Sequence, residues 1–206
     1  MCSSDLLVSF CREHSLAIIS DEVFSDFTFE NQPGGLVRSV SDEQDVLTFS
    51  LSGLSKIGGL PQVKAGWIAI AGPADERRRA FERLEVIADT YLSVGTPVQH
   101  ALPALLAHGE TVRQQIQQRT KRNLQLLRKS SLRPLHVEGG WYAITPTPRT
   151  RTEEEWAIHL LETEQTLTQP GYFYDFESDG WLVLSLLTPE ADFASGVAAI
   201  ERAFTA

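Results

Sequence analysis

Positive charge is scarce in this 206-residue chain: 18 lysines and arginines stand against 27 aspartates and glutamates, a net charge of −9. A surface of that sign is a poor match for a nucleic acid or an anionic membrane. Cysteine is scarcer still. Cys2 and Cys11 are the only two, too few for a disulfide framework, and both read as free thiols of a reducing cytoplasm. Long apolar runs are missing. The longest, Ala65 to Gly72, is about eight residues against the roughly 20 that span a bilayer. The five histidines, at 14, 100, 108, 136 and 159, show no metal-ligand spacing. No internal repeat and no signal peptide are visible. Met1 to Leu6 reads as foreign to the fold, of the kind a sequencing adapter would encode, and the chain reads as starting partway through an architecture.

What is present is the composition of a globular protein, 42% hydrophobic and 22% charged, which excludes a disordered tail or a low-complexity linker. Leu6 to Cys11 reads as the end of a helix. Leu16 to Ser20 is a short continuous apolar run, the signature of a buried parallel strand, and it ends in Asp21-Glu22. Gln32-Pro33-Gly34-Gly35 reads as a loop. Val46 to Ser50 and Val63 to Ala71 read as two further strands. From Pro73 the pattern turns helical. Asp75 to Leu92, Pro97 to His108 and Thr111 to Arg128 read as three helices, the last with a sparse stripe of Val112, Ile116, Leu124 and Leu127. Short strands return at His136-Val137, Trp141 to Ile144 and Trp181 to Leu187, with helices at Glu153 to Thr163 and Pro189 to Phe204. The layout is an incomplete α/β lobe over residues 1–110 and a small α+β lobe over 111–206.

Two segments carry candidate chemistry. One is Asp21-Glu22-Val23-Phe24 at a strand end, the place where open α/β sheets bind ligands. The other is Gly53-Leu54-Ser55-Lys56, followed by a second cation at Lys64. Adjacent parallel strands would bring both ends to one edge. Alone, each segment is weak. Asp21-Glu22 also reads as the Walker B segment of an ATP-binding module, which leaves the Gly53 to Gly66 pattern without a role. A nucleophile elbow fails at Ile57, where glycine is required.

Together the segments resemble the C-terminal half of a fold-type I, pyridoxal-phosphate-dependent aminotransferase of class I/II. Gly53-Leu-Ser-Lys-Ile-Gly-Gly-Leu-Pro-Gln-Val-Lys-Ala-Gly66 follows that family's lysine-site pattern, and Asp21-Glu-Val-Phe24 falls where the family carries Asp-Glu-x-Tyr. Gly139-Gly140-Trp141-Tyr142 and Leu184-Ser185 fall in small-lobe strands. The resemblance implies an α/β fold: a truncated cofactor-binding large domain, its sheet mostly parallel and flanked by helices, then a small α+β domain entered through a long helix. It implies pyridoxal 5′-phosphate as cofactor and transfer of an amino group from an amino acid to a 2-oxo acid. Lys56 would form the Schiff base and move the α-proton, which calls for a lowered pKa. Asp21, buried against a cation, would pair with the pyridine nitrogen. Ser55, Lys64 and, more weakly, Ser52 would hold the phosphate.

Three positions depart from the family. Lys64 stands for arginine and gives up the bidentate fork. Phe24 stands for tyrosine and has no hydroxyl for the cofactor. Val183 falls where the substrate-carboxylate arginine is usual; Arg149 and Arg151 are candidate replacements in a loop. A β-eliminating lyase and an inactive cofactor-binding fragment are the alternatives these departures keep open. Trp67, Trp141, Trp156 and Trp181 read as packing residues, Tyr172 to Tyr174 as packing or a pocket mouth, and Glu153 to Glu155 as a helix start. The resemblance further implies a homodimer at full length and a cytoplasmic enzyme. A large-domain sheet lacking strands would expose apolar edges, so the chain is expected to fold poorly alone and to bind cofactor weakly.

Overall fold

The computed structural model describes residues 3–29 and 39–205, and the expected loop at Gln32 to Gly35 lies outside them. The chain divides into two compact units, Met1–Arg113 and Gln114–Ala206.

The first unit is built on a three-stranded sheet of order β1-β2-β3, with β1 at Ile18–Asp21, β2 at Thr48–Gly53 and β3 at Gly66–Ala71. β1 pairs parallel with β2, Ile18 opposite Thr48 and Asp21 opposite Leu51; β2 pairs antiparallel with β3, Thr48 opposite Ala71 and Gly53 opposite Gly66. The sheet is therefore mixed: the connection after β2 is taken up by the short turns at Leu54–Ile57 and Pro61–Val63 and contains no crossover helix of the kind that joins parallel strands. Helix α1, Ser3–Glu13, covers one face, where Cys11, Ile18 and Val46 form a core with Val8 and Val40 packed on it. Strand residues alternate between faces, so Ile19, Phe49, Leu51, Ile68 and Ile70 share the opposite one. That face stays open: Ile19 is 72% and Ile68 47% exposed.

Helix α2 is the single turn Leu54–Ile57, and α3 runs Ala74–Thr90 without a buried residue. The two expected helices at 97–108 and 111–128 are one, α4, Thr96–Lys129, with Pro103 inside it. Gly109, between the two expected helices, is a close-approach residue. A Cβ there would lie 2.9 Å from the Gly58 Cα.

The second unit has a sheet of order β4-β6-β5, all antiparallel: β4 Tyr142–Pro146, β5 Gln169–Pro170 and β6 Trp181–Ser185. His136-Val137 forms no strand. Arg133 takes a left-handed turn and Gly140 a positive φ, and this stretch joins the sheet edge through Leu135 N–H to Ile144 C=O, 2.8 Å. Helices α5, Glu153–Glu164, and α6, Glu190–Thr205, frame a core of Leu160, Leu182, Leu186 and Ile200, each at most 2% exposed. Burying each of these side chains stabilises the unit by about 1.5–3 kcal/mol. Trp156 closes it against Phe204, ring centroids 4.7 Å apart, and its indole N–H donates to Pro148 C=O at 2.9 Å. Of the α4 stripe, Leu124 and Leu127 are buried while Val112 is exposed. Asn123, buried beside them, donates from Nδ2 to Leu186 C=O and Thr188 C=O at 2.9 and 2.8 Å.

Thr152 and Glu155 form a reciprocal capping box at the start of α5. Glu153 does something different. Its carboxylate is buried and accepts three backbone N–H groups: Tyr172 at 2.6 Å, Gly180 at 3.0 Å and Trp181 at 2.9 Å. It fastens the 171–181 connection onto the helix end. Replacing Glu153 by alanine strands these donors, and denaturant unfolding should show a loss of about 3 kcal/mol. A loss below 0.5 kcal/mol would mean that water replaces the carboxylate without penalty.

Candidate active site

The continuous apolar run Ile18-Ile19 gives β1 its place beside β2, and the parallel register delivers both C-terminal ends to one edge of the sheet. At the end of β1 the chain turns tightly. Asp21 Oδ1 accepts from Val23 N–H at 3.1 Å, Ser25 N–H bonds Glu22 C=O at 3.1 Å, and Phe27 N–H bonds Phe24 C=O at 2.9 Å. Phe27, 1% exposed, anchors the turn, and Phe24 meets it edge-on at 6.4 Å.

At the end of β2, Gly53 allows a close backbone approach. A Cβ would sit 2.9 Å from the Ala65 carbonyl oxygen and 3.0 Å from the Gly66 Cα. The next residue, Leu54, is fully buried and donates its N–H to that same carbonyl at 2.9 Å. Gly58 N–H and Leu60 N–H then bond to Leu54 C=O at 3.1 and 3.0 Å. Leu54 thus fixes the turn that carries Ser55 and Lys56. The Pro61–Val63 turn ends at Lys64, which is left-handed at φ 55°, ψ 45°, and immediately precedes Ala65.

These constraints place Asp21, Phe24, Ser55, Lys56 and Lys64 at the adjoining ends of β1, β2 and β3, with Ser52 opposite Trp67 near the end of β2. The Lys56 ammonium lies 5.6 Å from the centre of the Phe24 ring, within cation–π reach. Asp21 differs from expectation: its side of the strand end is exposed rather than buried, because it shares the sheet's open face. The structure places Val183 in the middle of β6, 5% exposed, opposite Ile144 and Gln169. Arg149 and Arg151 are exposed, the latter with its guanidinium 4.9 Å from the Trp156 ring centre.

Glu22 has a structural task that sequence reading missed. Its carboxylate accepts from Ser39 Oγ at 2.6 Å, Val40 N–H at 3.1 Å and Ser50 Oγ at 3.2 Å. That set pins the Val40–Asp42 turn to the covered face of the sheet and leaves Glu22 unlike a solvent-facing Walker B acid. Burial opposes its charge, but the hydrogen bonds from Ser39, Val40, Ser50 and Ser20 outweigh it and hold the carboxyl below its ordinary value of 4.5. The only signal in the sequence is a strand-end acid with serine at positions 39 and 50, far along the chain.

A carboxyl whose pKa is depressed by folding stabilises the fold above its unfolded value and loses that contribution as pH falls through the folded one. Wild type should therefore be more stable than Glu22→Gln at neutral pH. The gap in thermal midpoint should narrow as pH falls below the ordinary carboxyl value of 4.5. A gap that is constant with pH would contradict the bonding described.

The chain is 27% identical over 210 residues to alanine aminotransferase of Mycobacterium tuberculosis, a match covering 95% of this chain and 47% of that protein. It is 26% identical over 106 residues to the glutamate-pyruvate aminotransferase AlaA of Escherichia coli, covering 52% of this chain and 26% of that protein. It superimposes on the crystal structure of an aminotransferase from Escherichia coli with a TM-score of 0.78 at 19% identity, over 98% of this chain and 53% of that one. Aspartate aminotransferase from Thermotoga maritima gives 0.76 at 20% identity, over 97% and 51%. The chain thus spans about half the length or less of these relatives. The family model "Aminotransferase class I and II" matches residues 5–200, and the chain belongs to that family.

Proposed function

We propose that this chain is the lysine-bearing part of a pyridoxal 5′-phosphate-dependent aminotransferase that moves an amino group from an amino acid to a 2-oxo acid. The observation that carries the reading is the meeting of Lys56 with the Asp21–Phe24 turn at one sheet edge, within the region matched by the family. In this reading residues 1–110 belong to the cofactor-binding domain and 111–206 to the small domain. The full-length protein is a homodimer. A reducing, cytoplasmic setting suits the buried free thiol of Cys11.

The residues present fit the group. An amine, a carboxylate, a hydroxyl and a second cation converge on an edge that is open to solvent. Pyridoxal phosphate, when bound, supplies an electron-withdrawing ring that lets the amino acid α-C–H bond ionise. Lys56 would hold the cofactor through its Nζ, and that nitrogen, once free, moves the proton of the α-carbon as general base. The Asp21 carboxylate holds a proton at the ring nitrogen. The Ser55 and Ser52 hydroxyls and the Lys64 ammonium hold the phosphate, Lys64 as a point charge. Phe24 places an apolar ring against the Lys56 ammonium and offers no hydroxyl. Val183, apolar and buried in β6, holds no carboxylate, so the substrate carboxylate is held by another group.

Borohydride reduction of the protein incubated with pyridoxal phosphate tests this. The reading expects a yellow chromophore that borohydride bleaches, leaving a reduced pyridoxyl group on the peptide containing Lys56; both are lost in Lys56→Ala, with kcat reduced by at least about 10²-fold. Label on Lys64, or no label on protein shown to be folded by circular dichroism, would overturn it. Lys64→Gly separates phosphate binding from folding. The cofactor Kd should rise about tenfold, while the thermal midpoint holds or rises because glycine relaxes the left-handed backbone.

A further inference from the structure

The stretch of α4 that belongs to the first unit, residues 96–113, meets both turns of the candidate active site with one face. Gly109 is the one buried residue of that stretch. It packs on the backbone just after Lys56: a Cβ there would lie 2.9 Å from the Gly58 Cα and 3.6 Å from the Ile57 carbonyl oxygen. Gly58 is the residue whose N–H closes the Lys56 turn on Leu54 C=O at 3.1 Å. Four residues on, and so on the same face of the helix, Arg113 reaches the other turn. Its Nη1 lies 3.5 Å from Oδ1 of Asp26, which stands two residues after Phe24 and next to the buried anchor Phe27. Glu110, one helical turn back, braces the guanidinium by accepting from Nη2.

Ion pairs in open water contribute little. Those of Arg12, Arg78, Arg122 and Arg202 are of that kind, with side chains 55–64% exposed. The Arg113 side chain is 21% exposed, so its charge is screened less by solvent and salt. The bonds from Ser25 N–H to Glu22 C=O and from Phe27 N–H to Phe24 C=O shape the Asp21–Phe27 turn locally. The Arg113–Asp26 pair does something else: it holds that turn to the helix that abuts the Lys56 turn. Between the two turns the Phe24 ring stands 5.6 Å from the Lys56 ammonium.

We propose that Arg113 is a positioning residue for Lys56: through Asp26 it seats the Phe24 ring against the amine, while Gly109 sets how closely the helix approaches the Lys56 turn. The proposal rests on the reading of Lys56 as the nitrogen that holds pyridoxal phosphate. Arg113 acts through Asp26 and Phe24 and takes no part in the chemistry itself.

The NMR signal of the Lys56 ε-methylene, recorded on the 206-residue chain without cofactor, decides it. The difference between wild type and Phe24→Leu measures the effect of the ring on that signal. Arg113→Met keeps the apolar stem and removes the charge. It should show more than half of that difference, and Asp26→Asn, which alters the other partner, should do the same. Arg113→Lys keeps the charge and should stay near wild type. The Ile18 and Val46 methyls, in the covered core of the sheet, should not move in any of the three. With pyridoxal phosphate added, Arg113→Met should slow the appearance of borohydride-fixed label on Lys56 about tenfold. A Lys56 signal unchanged in Phe24→Leu, Arg113→Met or Asp26→Asn would overturn the proposal. So would Arg113→Lys behaving like Arg113→Met, an unchanged labelling rate, or core methyls that move with the Lys56 signal, the mark of a merely structural pair. Absence of label on Lys56 in wild type would count against the cofactor reading alone, because the cofactor-free signal still reports the positioning.

Discussion

The candidate active site depends on one pairing, the parallel register of β1 on β2. Because the strands run the same way, the turn after Asp21 and the turn after Gly53 open onto one edge, and the Phe24 ring meets the Lys56 ammonium there. An antiparallel pairing would send them to opposite ends of the sheet. The third strand completes the arrangement by running the other way. Its N-terminal end then lies beside Gly53, and Ala65 C=O bonds Leu54 N–H, which brings Lys64 next to the turn that carries Lys56. The glycine at 53 is required by that close approach, and the buried Leu54 side chain holds the turn in place.

The two units differ in how they are stabilised. The second has a continuous core around Leu160, Leu182, Leu186 and Ile200, reinforced by the buried Asn123 amide and the buried Glu153 carboxylate. The first buries one sheet face and leaves the other open, with Ile19 and Ile68 in solvent and no buried residue on α3. The same open face exposes Asp21. A carboxylate in water is stabilised by solvent, and its hold on a ring nitrogen strengthens when the surroundings become less polar. The strength of the contact proposed for Asp21 therefore depends on what covers the edge.

Much of this was legible in the sequence because it is local. An apolar run ending in an acid announces a strand end, and the Gly53 to Gly66 segment carries its own turn chemistry. What could not be read depends on distant partners. Asp21 and Glu22 are neighbours in sequence and lie on opposite faces, and only Ser39 and Ser50 reveal that Glu22 is a clasp. The helices expected at 97–108 and 111–128 are one, and the close approach of Gly109 to Gly58 is visible only in the fold. Glu153 looked like one of three helix-dipole acids; its real partners are the backbone at 172, 180 and 181. β5, two residues long and ending in proline, has no periodicity to detect.

The most direct measurement is the ¹⁵N NMR shift of pyridoxal phosphate labelled at its ring nitrogen and bound to the protein. The account predicts a protonated nitrogen in wild type and an unprotonated one in Asp21→Asn, with the Lys56 linkage intact in both. A nitrogen in the same protonation state in both proteins would show that the carboxylate after β1 does not face the ring whose aldehyde Lys56 holds, and would contradict the account at its base.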